Sequence, residues 1–267
     1  MRYKERKLEK KTLIVGATCG VGEAVASFLC EQGHTVVGAA RSKDRLNALT
    51  KTIGPSFEPY QLDIGDPKQV HRMVQLLEEK LGSFDVVNMA FGHIGEDEGV
   101  PIGDLDDEDI EAFCRSSVLG NWFLAKYLSK TMKENQRRWV QINADWGLPQ
   151  HNILLGAENS KGERIGSEFF ASAKHAITGL TNSMERLSGF ETTGIYPGAI
   201  ASMSSLERWY SRDTPVQEVL ADPFFEDEMG IPLQDIAEAV RFALSVYSVP
   251  KQIVLKPRNI DYDGVGI

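Results

Sequence analysis

The sequence lacks the features of a membrane-spanning, secreted or metal-bound chain. No apolar run reaches the roughly 18 residues that mark a candidate membrane helix. The N-terminal stretch MRYKERKLEKK is charged throughout, so we expect residues 1–11 to form a solvated leader and not a signal peptide. The three cysteines, Cys19, Cys30 and Cys114, have no metal-ligand spacing and suit a reducing compartment. These absences predict a cytoplasmic protein without a metal site.

Composition and charge limit the kinds of molecule that we expect the chain to bind. The chain of 267 residues is 42% hydrophobic and 25% charged, which is typical of a globular domain with a substantial core. A net charge of −9 argues against nucleic acid as a partner. We therefore expect a small-molecule substrate, with neither nucleic acid nor membrane bound. No repeat or low-complexity linker divides residues 1–267, which predicts a single domain.

Apolar runs rich in β-branched residues alternate with helical patterns along the whole chain. Several of these runs are continuous, as in strands that are buried on both faces of a parallel sheet. The alternation predicts an α/β fold, a Rossmann-type doubly wound parallel sheet with helices on both faces. The predicted strands cover residues 12–17, 34–40, 57–64, 84–90, 139–145, 192–198 and 252–257.

The clearest helix signal follows Asp66 and Pro67. They supply a cap and a first-turn proline, an apolar stripe follows, and Gly82 ends the pattern. Two stretches, 147–168 and 201–233, are too long for simple connections in such folds. Both follow the carboxyl ends of predicted strands, so we expect them to form loops on the substrate side.

A glycine pattern stands between the first predicted strand and the first predicted helix. Gly16, Gly20 and Gly22 allow a tight turn, and free N–H groups at the helix start can bind a pyrophosphate. Further on, Arg41 and Ser42 stand where a carboxylate would hold the ribose of NAD. A guanidinium there matches a 2′-phosphate, so the sequence favours NADP over NAD.

Taken together, these motifs resemble those of the short-chain dehydrogenase/reductase family. The stretch "LDIGD" (62–66) resembles that family's adenine-binding turn, "DVVNMAFG" (85–92) its Asn-Asn-Ala-Gly strand, and "YPGAI" (196–200) the turn beside the nicotinamide. The resemblance implies an oxidoreductase that transfers a hydride. The cofactor-binding residues that it implies are Gly16, Thr18, Cys19, Gly20, Val21, Gly22, Arg41, Ser42, Asp63, Ile64, Asn88, Ala90, Lys174, Pro197, Gly198 and Ile200.

The resemblance breaks down at the catalytic positions. Family members use a tyrosine as acid and base, a lysine that lowers its pKa, a serine that polarises the carbonyl, and an asparagine that supports a proton relay. Lys174 matches the lysine, but Phe170 stands at the tyrosine position. Ala144 and Ser117 stand at the serine and asparagine positions. We therefore expect an atypical active site.

Other titratable groups are candidates for the missing acid. Asp145 follows the serine position, and His151 lies in the loop predicted over 147–168. A histidine side chain ordinarily has a pKa near neutrality, which suits proton transfer. Glu163, Glu168 and His175 are weaker candidates. Nearby apolar residues suggest an apolar or aromatic substrate; they are Trp146, Leu148, Phe169 and Phe170.

Three functions remain open on the sequence. The first is an NADP(H)-dependent oxidoreductase with a non-standard proton donor, and the second is a catalytically inactive NADP(H)-binding sensor or regulator. The third is a non-redox enzyme that reuses the pocket. The helices around 107–134 and 170–187 resemble those through which family members assemble, so a homodimer or homotetramer is expected by analogy.

Overall fold

The computed structural model describes residues 10–89, 103, 105–148, 168–188, 191–198, 200–201 and 230–256. Its helices are α1 (Gly20–Glu31), α2 (Lys43–Ile53), α3 (Pro67–Leu81), α4 (Asp107–Cys114), α5 (Gly120–Glu134), α6 (Glu168–Ser183) and α7 (Leu233–Ser245). Its strands are β1 (Lys11–Val15), β2 (Thr35–Ala40), β3 (Phe57–Gln61), β4 (Asp85–Asn88), β5 (Arg138–Ile142), β6 (Glu191–Pro197), β7 (Ile200–Ala201), β8 (Ile231–Pro232) and β9 (Gln252–Leu255). No helix among these described residues is both long and apolar enough to cross a membrane.

Seven strands form one parallel sheet in the order β3-β2-β1-β4-β5-β6-β9. The direction of winding changes between β1 and β4. In open α/β sheets the ligand crevice lies outside the carboxyl ends of the strands at such a switch point. The predicted Rossmann-type fold is confirmed, and it places the candidate site at this edge.

Each face of the sheet carries its own apolar core, because side chains along a strand alternate between faces. Ile14 of β1 points into a core with residues of α1, α2 and α7. Its neighbours Leu13 and Val15 point into the opposite core, which α3 and α5 complete. Burial on both faces explains why the strands appear in the sequence as continuous apolar runs.

Helix α3 begins and ends where the sequence predicts. The Asp66 carboxylate accepts a hydrogen bond from the Lys68 amide at 2.8 Å, and Pro67 occupies the first turn. Gly82 ends the helix with a φ of +71°, a conformation that favours glycine. The apolar stripe is buried throughout; it comprises Val70, Met73, Val74, Leu77 and Leu81.

Arg138 fastens α7 to the start of β5, and its side chain is almost fully buried. The guanidinium donates to the backbone carbonyls of Ala243 and Tyr247 at the end of α7 and pairs with Glu191 at 3.2 Å. Because these carbonyls lie past the last helical hydrogen bonds, the arginine satisfies groups that would otherwise lack donors.

Six predicted strands run one to three residues too far at their carboxyl ends. Gly16 turns the chain away from the sheet directly after β1, and the Asp63 side chain accepts from the Gly65 amide in a turn after β3. The strand ends predicted at residues 17, 64, 90, 145, 198 and 257 lie at Val15, Gln61, Asn88, Ile142, Pro197 and Leu255.

The predicted leader and loops also need correction at their ends. The Nζ atoms of Lys10 and Lys11 donate to backbone carbonyls in the body of the fold, so the leader does not extend to residue 11. The loop predicted over 201–233 begins in β7 and ends in β8, which pair as a short parallel ladder before α7. Within 147–168, Gly147 closes a 3₁₀ turn and Glu168 opens α6, while 149–167 lie outside the described residues.

Candidate functional site

A glycine turn joins β1 to α1 at the carboxyl edge of the sheet. Gly16 has a φ of +92°, and its amide donates to the Ala39 carbonyl of β2 at 2.8 Å. A Cβ atom on Gly22 would lie 2.2 Å from the Gly16 carbonyl oxygen. Glycine at position 22 therefore lets α1 begin against the turn, which leaves a backbone cradle.

The N-terminus of α1 opens into this cradle. The Cys19 sulfur accepts a hydrogen bond from the Gly22 amide at 3.3 Å, and burial of that sulfur raises the pKa of the thiol although the residue as a whole is exposed. The first amides of the helix, those of Gly20 and Val21, have no partner within it. They carry the positive end of the helix dipole and fit a phosphate. Thr18, just before the cap, is buried.

Arg41 stands at the end of β2, next to the glycine turn that is bonded to Ala39. Its side chain is exposed, its carbonyl accepts from Gln61 Nε2 at 3.1 Å, and within the described ranges its guanidinium forms no ion pair. The following residue, Ser42, caps α2 by accepting from the Arg45 amide at 3.3 Å. Arg41 can therefore meet an anion beyond the end of β2.

The two residues expected at the adenine differ in exposure. Asp63 is exposed, and one of its carboxylate oxygens accepts from the Gly65 amide at 2.9 Å. Ile64 is buried, and its side chain lies so close to Gly120 that a Cβ there would be 2.6 Å away. The Ile64 side chain thus belongs mainly to the core, and its contact with a base stays a prediction.

A buried network of amide side chains joins β4, β5 and the start of α5. Asn88 Nδ2 donates to Gln141 Oε1 at 2.9 Å and to Asn121 Oδ1 at 2.5 Å. Asn121 Nδ2 donates to the Ser117 carbonyl, and Trp139 Nε1 donates to Gln141 Oε1 at 3.1 Å. All five residues are at most 1% exposed.

The sequence patterns did not predict the place of Asn121 and Gln141 in this network. A signal for Asn121 exists, because it lies on the buried stripe of α5 with Leu124 and Leu128. A polar residue on an apolar stripe needs hydrogen-bond partners. The side-chain amide of Asn88 donates inside the network, and the expected contact of Asn88 with a cofactor stays a prediction.

Helix α6 brings Phe170 and Lys174 together, since residues four apart share a helix face. The Lys174 side chain is buried, and its Nζ lies 5.2 Å from the centroid of the Phe170 ring. This distance permits a cation–π contact. A phenyl ring can hold the ammonium there but cannot donate a proton to a substrate. Ala144, partly buried beyond the end of β5, also has no hydroxyl.

A 3₁₀ turn, Asp145–Gly147, packs against α6 near Lys174. Asn143, two residues earlier, donates from Nδ2 to the Lys174 carbonyl at 2.9 Å and to Thr178 Oγ1 at 3.0 Å. Asp145 is only 4% exposed, so a carboxyl group is sheltered beside the lysine helix. His151 and Glu163 lie outside the described residues, as does Ala90.

The remaining candidates lie on α6 and β6. His175 Nδ1 is 2.9 Å from the Ala171 carbonyl on its own helix. Tyr196 is fully buried in β6, and burial raises the pKa of its phenol. The nearby Thr178 hydroxyl lowers the pKa of the Tyr196 phenol and partly offsets this rise. The two hydroxyl groups do not meet regular hydrogen-bond geometry. This phenol therefore lies in the core and not at position 170.

The turn after β6 contains the other residues expected at the nicotinamide. Pro197 ends β6, the Gly198 amide donates to the Leu255 carbonyl at 3.0 Å, and Ile200 opens β7. The described candidates thus lie at or after the carboxyl ends of the strands β1 to β6 and on α6. Among all the residues that the structure describes, no group of three or more His, Cys, Asp or Glu residues could bind a metal.

Comparisons with known proteins agree with this architecture. The family model described as short chain dehydrogenase matches residues 10–209. An uncharacterized oxidoreductase of Staphylococcus aureus is 25% identical over 241 residues, which cover 89% of this chain and 91% of the relative. An actinorhodin polyketide ketoreductase with NADPH is similar in structure, with a TM-score of 0.75 and 19% identity over 94% of this chain and 97% of the other. An alcohol dehydrogenase from the archaeon Thermococcus sibiricus, complexed with 5-hydroxy-NADP, has a TM-score of 0.69 and 21% identity at the same coverages.

Proposed function

Since the chain belongs to the short chain dehydrogenase family, we propose that it is an NADP(H)-dependent oxidoreductase with a non-standard active site. The observation that carries the proposal is the exposed guanidinium of Arg41, which stands at the end of β2 beside the glycine turn. A planar guanidinium recognises a 2′-phosphate through paired hydrogen bonds, whereas NAD presents only a hydroxyl at that place.

The residues present fit such a cofactor. The cradle at Gly16 and Gly22 and the first amides of α1 would hold the pyrophosphate. Asp63 would lie at the adenine, and Lys174 would donate to the nicotinamide ribose. Lys174 is buried, and at the family's tyrosine position it faces the Phe170 ring and not a phenol, so we assign it a role in binding.

When bound, NADPH supplies a hydride from C4 of its nicotinamide. Phe170 and Ala144 offer no proton to the acceptor, and we propose the sheltered carboxyl group of Asp145 as the acid. An activated C=C or C=N bond suits this site better than a ketone, because negative charge then does not develop on an oxygen beside the hydride acceptor. The Phe170 ring favours an apolar or aromatic substrate.

A second candidate function is a catalytically inactive NADP(H)-binding sensor. The observation that favours it is the Lys174 ammonium on the face of the Phe170 ring, where the family has its proton donor. A protein with a phenyl ring at the position of the proton donor can bind the cofactor and still transfer no hydride.

Turnover assays with NADPH separate the two candidates. The loss of nicotinamide absorbance would be followed with acceptors that carry an activated C=C, a C=N or a simple carbonyl group. Oxidation with the first two classes, and its loss in Asp145→Asn with NADPH binding retained, supports the enzyme. Tight NADPH binding without turnover supports the sensor. Failure to bind NADPH overturns both, and product formation at constant absorbance would indicate a non-redox enzyme.

We also propose that the chain forms a homodimer or homotetramer through α5 and α6. Support comes from Trp122 on α5, which is 50% exposed. Light scattering on the wild type and on Trp122→Glu tests this, since a charge in an apolar interface should shift the mass toward the monomer.

A further inference from the structure

A π-helical turn, Arg115–Leu119, separates α4 from α5, and Ser117 lies at its centre. The amide of Gly120 reaches back five residues to the Arg115 carbonyl. Turns of this kind are rare, and they recur at functional sites. Here the carbonyl of Ser117 accepts a hydrogen bond from the side chain of Asn121, one helical turn later. The shape of this turn therefore depends on a side-chain amide.

Asn121 is itself held from the sheet. Its Oδ1 accepts from Asn88 Nδ2, and the second hydrogen of that amide goes to Gln141 Oε1. Gln141 Nε2 donates to the Asn88 and Ile142 carbonyls at 3.1 and 3.2 Å. With this many partners the orientation of each amide is fixed, and a satisfied buried network holds its members rigidly.

The same strand leads to Lys174. Asn143 follows Gln141 by two residues and donates to the Lys174 carbonyl at 2.9 Å. Hydrogen bonds from the π-helical turn to Gln141, the short chain segment from Gln141 to Asn143, and the bond from Asn143 thus join that turn to α6. The path leaves out the glycine turn and Arg41, since none of these side-chain hydrogen bonds reaches them within the described residues.

We propose that Asn121 is a positioning residue for the nicotinamide half of the bound cofactor. It fixes the π-helical turn against β4 and β5 and so sets the spacing between that turn and Lys174. The inference rests on the proposed NADP(H) function. It implies that loss of Asn121 weakens binding of the nicotinamide half and leaves the adenosine half, which Arg41 and the glycine turn would hold, nearly unchanged.

Two ligands separate these halves. NADPH carries both, whereas adenosine 2′,5′-bisphosphate lacks the nicotinamide and its ribose. Calorimetric titrations would use the wild type, Asn121→Leu, and Asn121→Asp, which keeps the shape and the acceptor for Asn88 but loses the donor to Ser117. Thr131→Val is the matched control, because it also removes a side-chain hydrogen bond of a buried residue on α5, the part-buried one to Glu78.

Both Asn121 variants should bind NADPH about tenfold more weakly or worse and bind the bisphosphate within about twofold of the wild type, as expected when a buried polar group loses its partner. Thr131→Val should bind both ligands like the wild type. Equal losses for both ligands, no loss for either, or failure of both variants to fold would overturn the inference, because Asn121 would then be generally structural or dispensable. A wild type that binds NADPH no more tightly than the bisphosphate also overturns it. A wild type that binds neither ligand overturns the proposed function itself.

Discussion

An alanine at position 22 would test the glycine cradle directly. Its methyl carbon would lie 2.2 Å from the Gly16 carbonyl oxygen and 2.9 Å from the Ala17 Cα and carbonyl carbon. Carbon atoms in favourable contact are roughly 3.5–4.0 Å apart, so the helix and the turn must separate by about 1 Å. All three opposing atoms belong to the backbone, so no side chain can move aside.

Overpacking of this kind lowers the free energy of unfolding by about 1–3 kcal/mol. The displaced atoms also form the proposed phosphate site, so we expect NADPH to bind about tenfold more weakly or worse in Gly22→Ala. Urea unfolding gives the first quantity, and calorimetry gives the second.

Gly179→Ala is the matched control, because nothing lies within 4 Å of a Cβ placed there in the middle of α6. An exposed helical glycine replaced by alanine should raise the free energy of unfolding by about 0.5–1 kcal/mol. If Gly22→Ala were as stable as the wild type and bound NADPH equally well, the close approach of α1 to the turn would be refuted.

Three further outcomes are expected. Arg138→Met should lower the free energy of unfolding by about 2–3 kcal/mol, since it leaves the buried Ala243 carbonyl without this donor and breaks the ion pair with Glu191. Arg241→Met, at an exposed ion pair, should change the free energy of unfolding by about 0.5 kcal/mol or less in urea unfolding. Burial lowers the pKa of His34 below its usual 6.5, so the unfolded chain takes up the proton first; urea unfolding should show stability falling as the pH drops from 6.5 to the folded-state pKa, and His34→Gln should reduce this fall. Phe170→Tyr combined with Ala144→Ser should give the protein ketone reductase activity in an NADPH oxidation assay. No gain of activity would show that a carbonyl group is not held beside positions 170 and 144.

Local signals account for what the sequence predicted well. The sequence predicts helix α3 from its cap, its first-turn proline, its apolar stripe and Gly82, which all lie within one short segment. The doubly wound parallel sheet follows from the β-α alternation, because right-handed crossovers leave few alternatives. The glycine turn was visible for the same reason, since its spacing lies between one strand and one helix.

Long-range contacts account for what the sequence could not show. Asn88 is 33 residues from Asn121 and 53 from Gln141, and only the packed sheet brings these amides together. The ends of β1 and β3 depend on turns that form at the edge of the sheet, which apolar patterns do not mark. The packing of Ile64 against Gly120 is likewise a long-range contact, and the contact of Ile64 with a base stays a prediction.

The cofactor preference is decided by a paired calorimetric titration with NADPH and NADH. We expect NADPH to bind about tenfold more tightly or better in the wild type, and Arg41→Ala to remove that preference. Arg45→Ala, which removes a neighbouring arginine that already pairs with Glu23 at 3.5 Å, should keep the preference. Equal or tighter binding of NADH by the wild type, or an unchanged preference in Arg41→Ala, would contradict the role of Arg41. Binding of neither nucleotide would contradict the NADP(H) function as a whole.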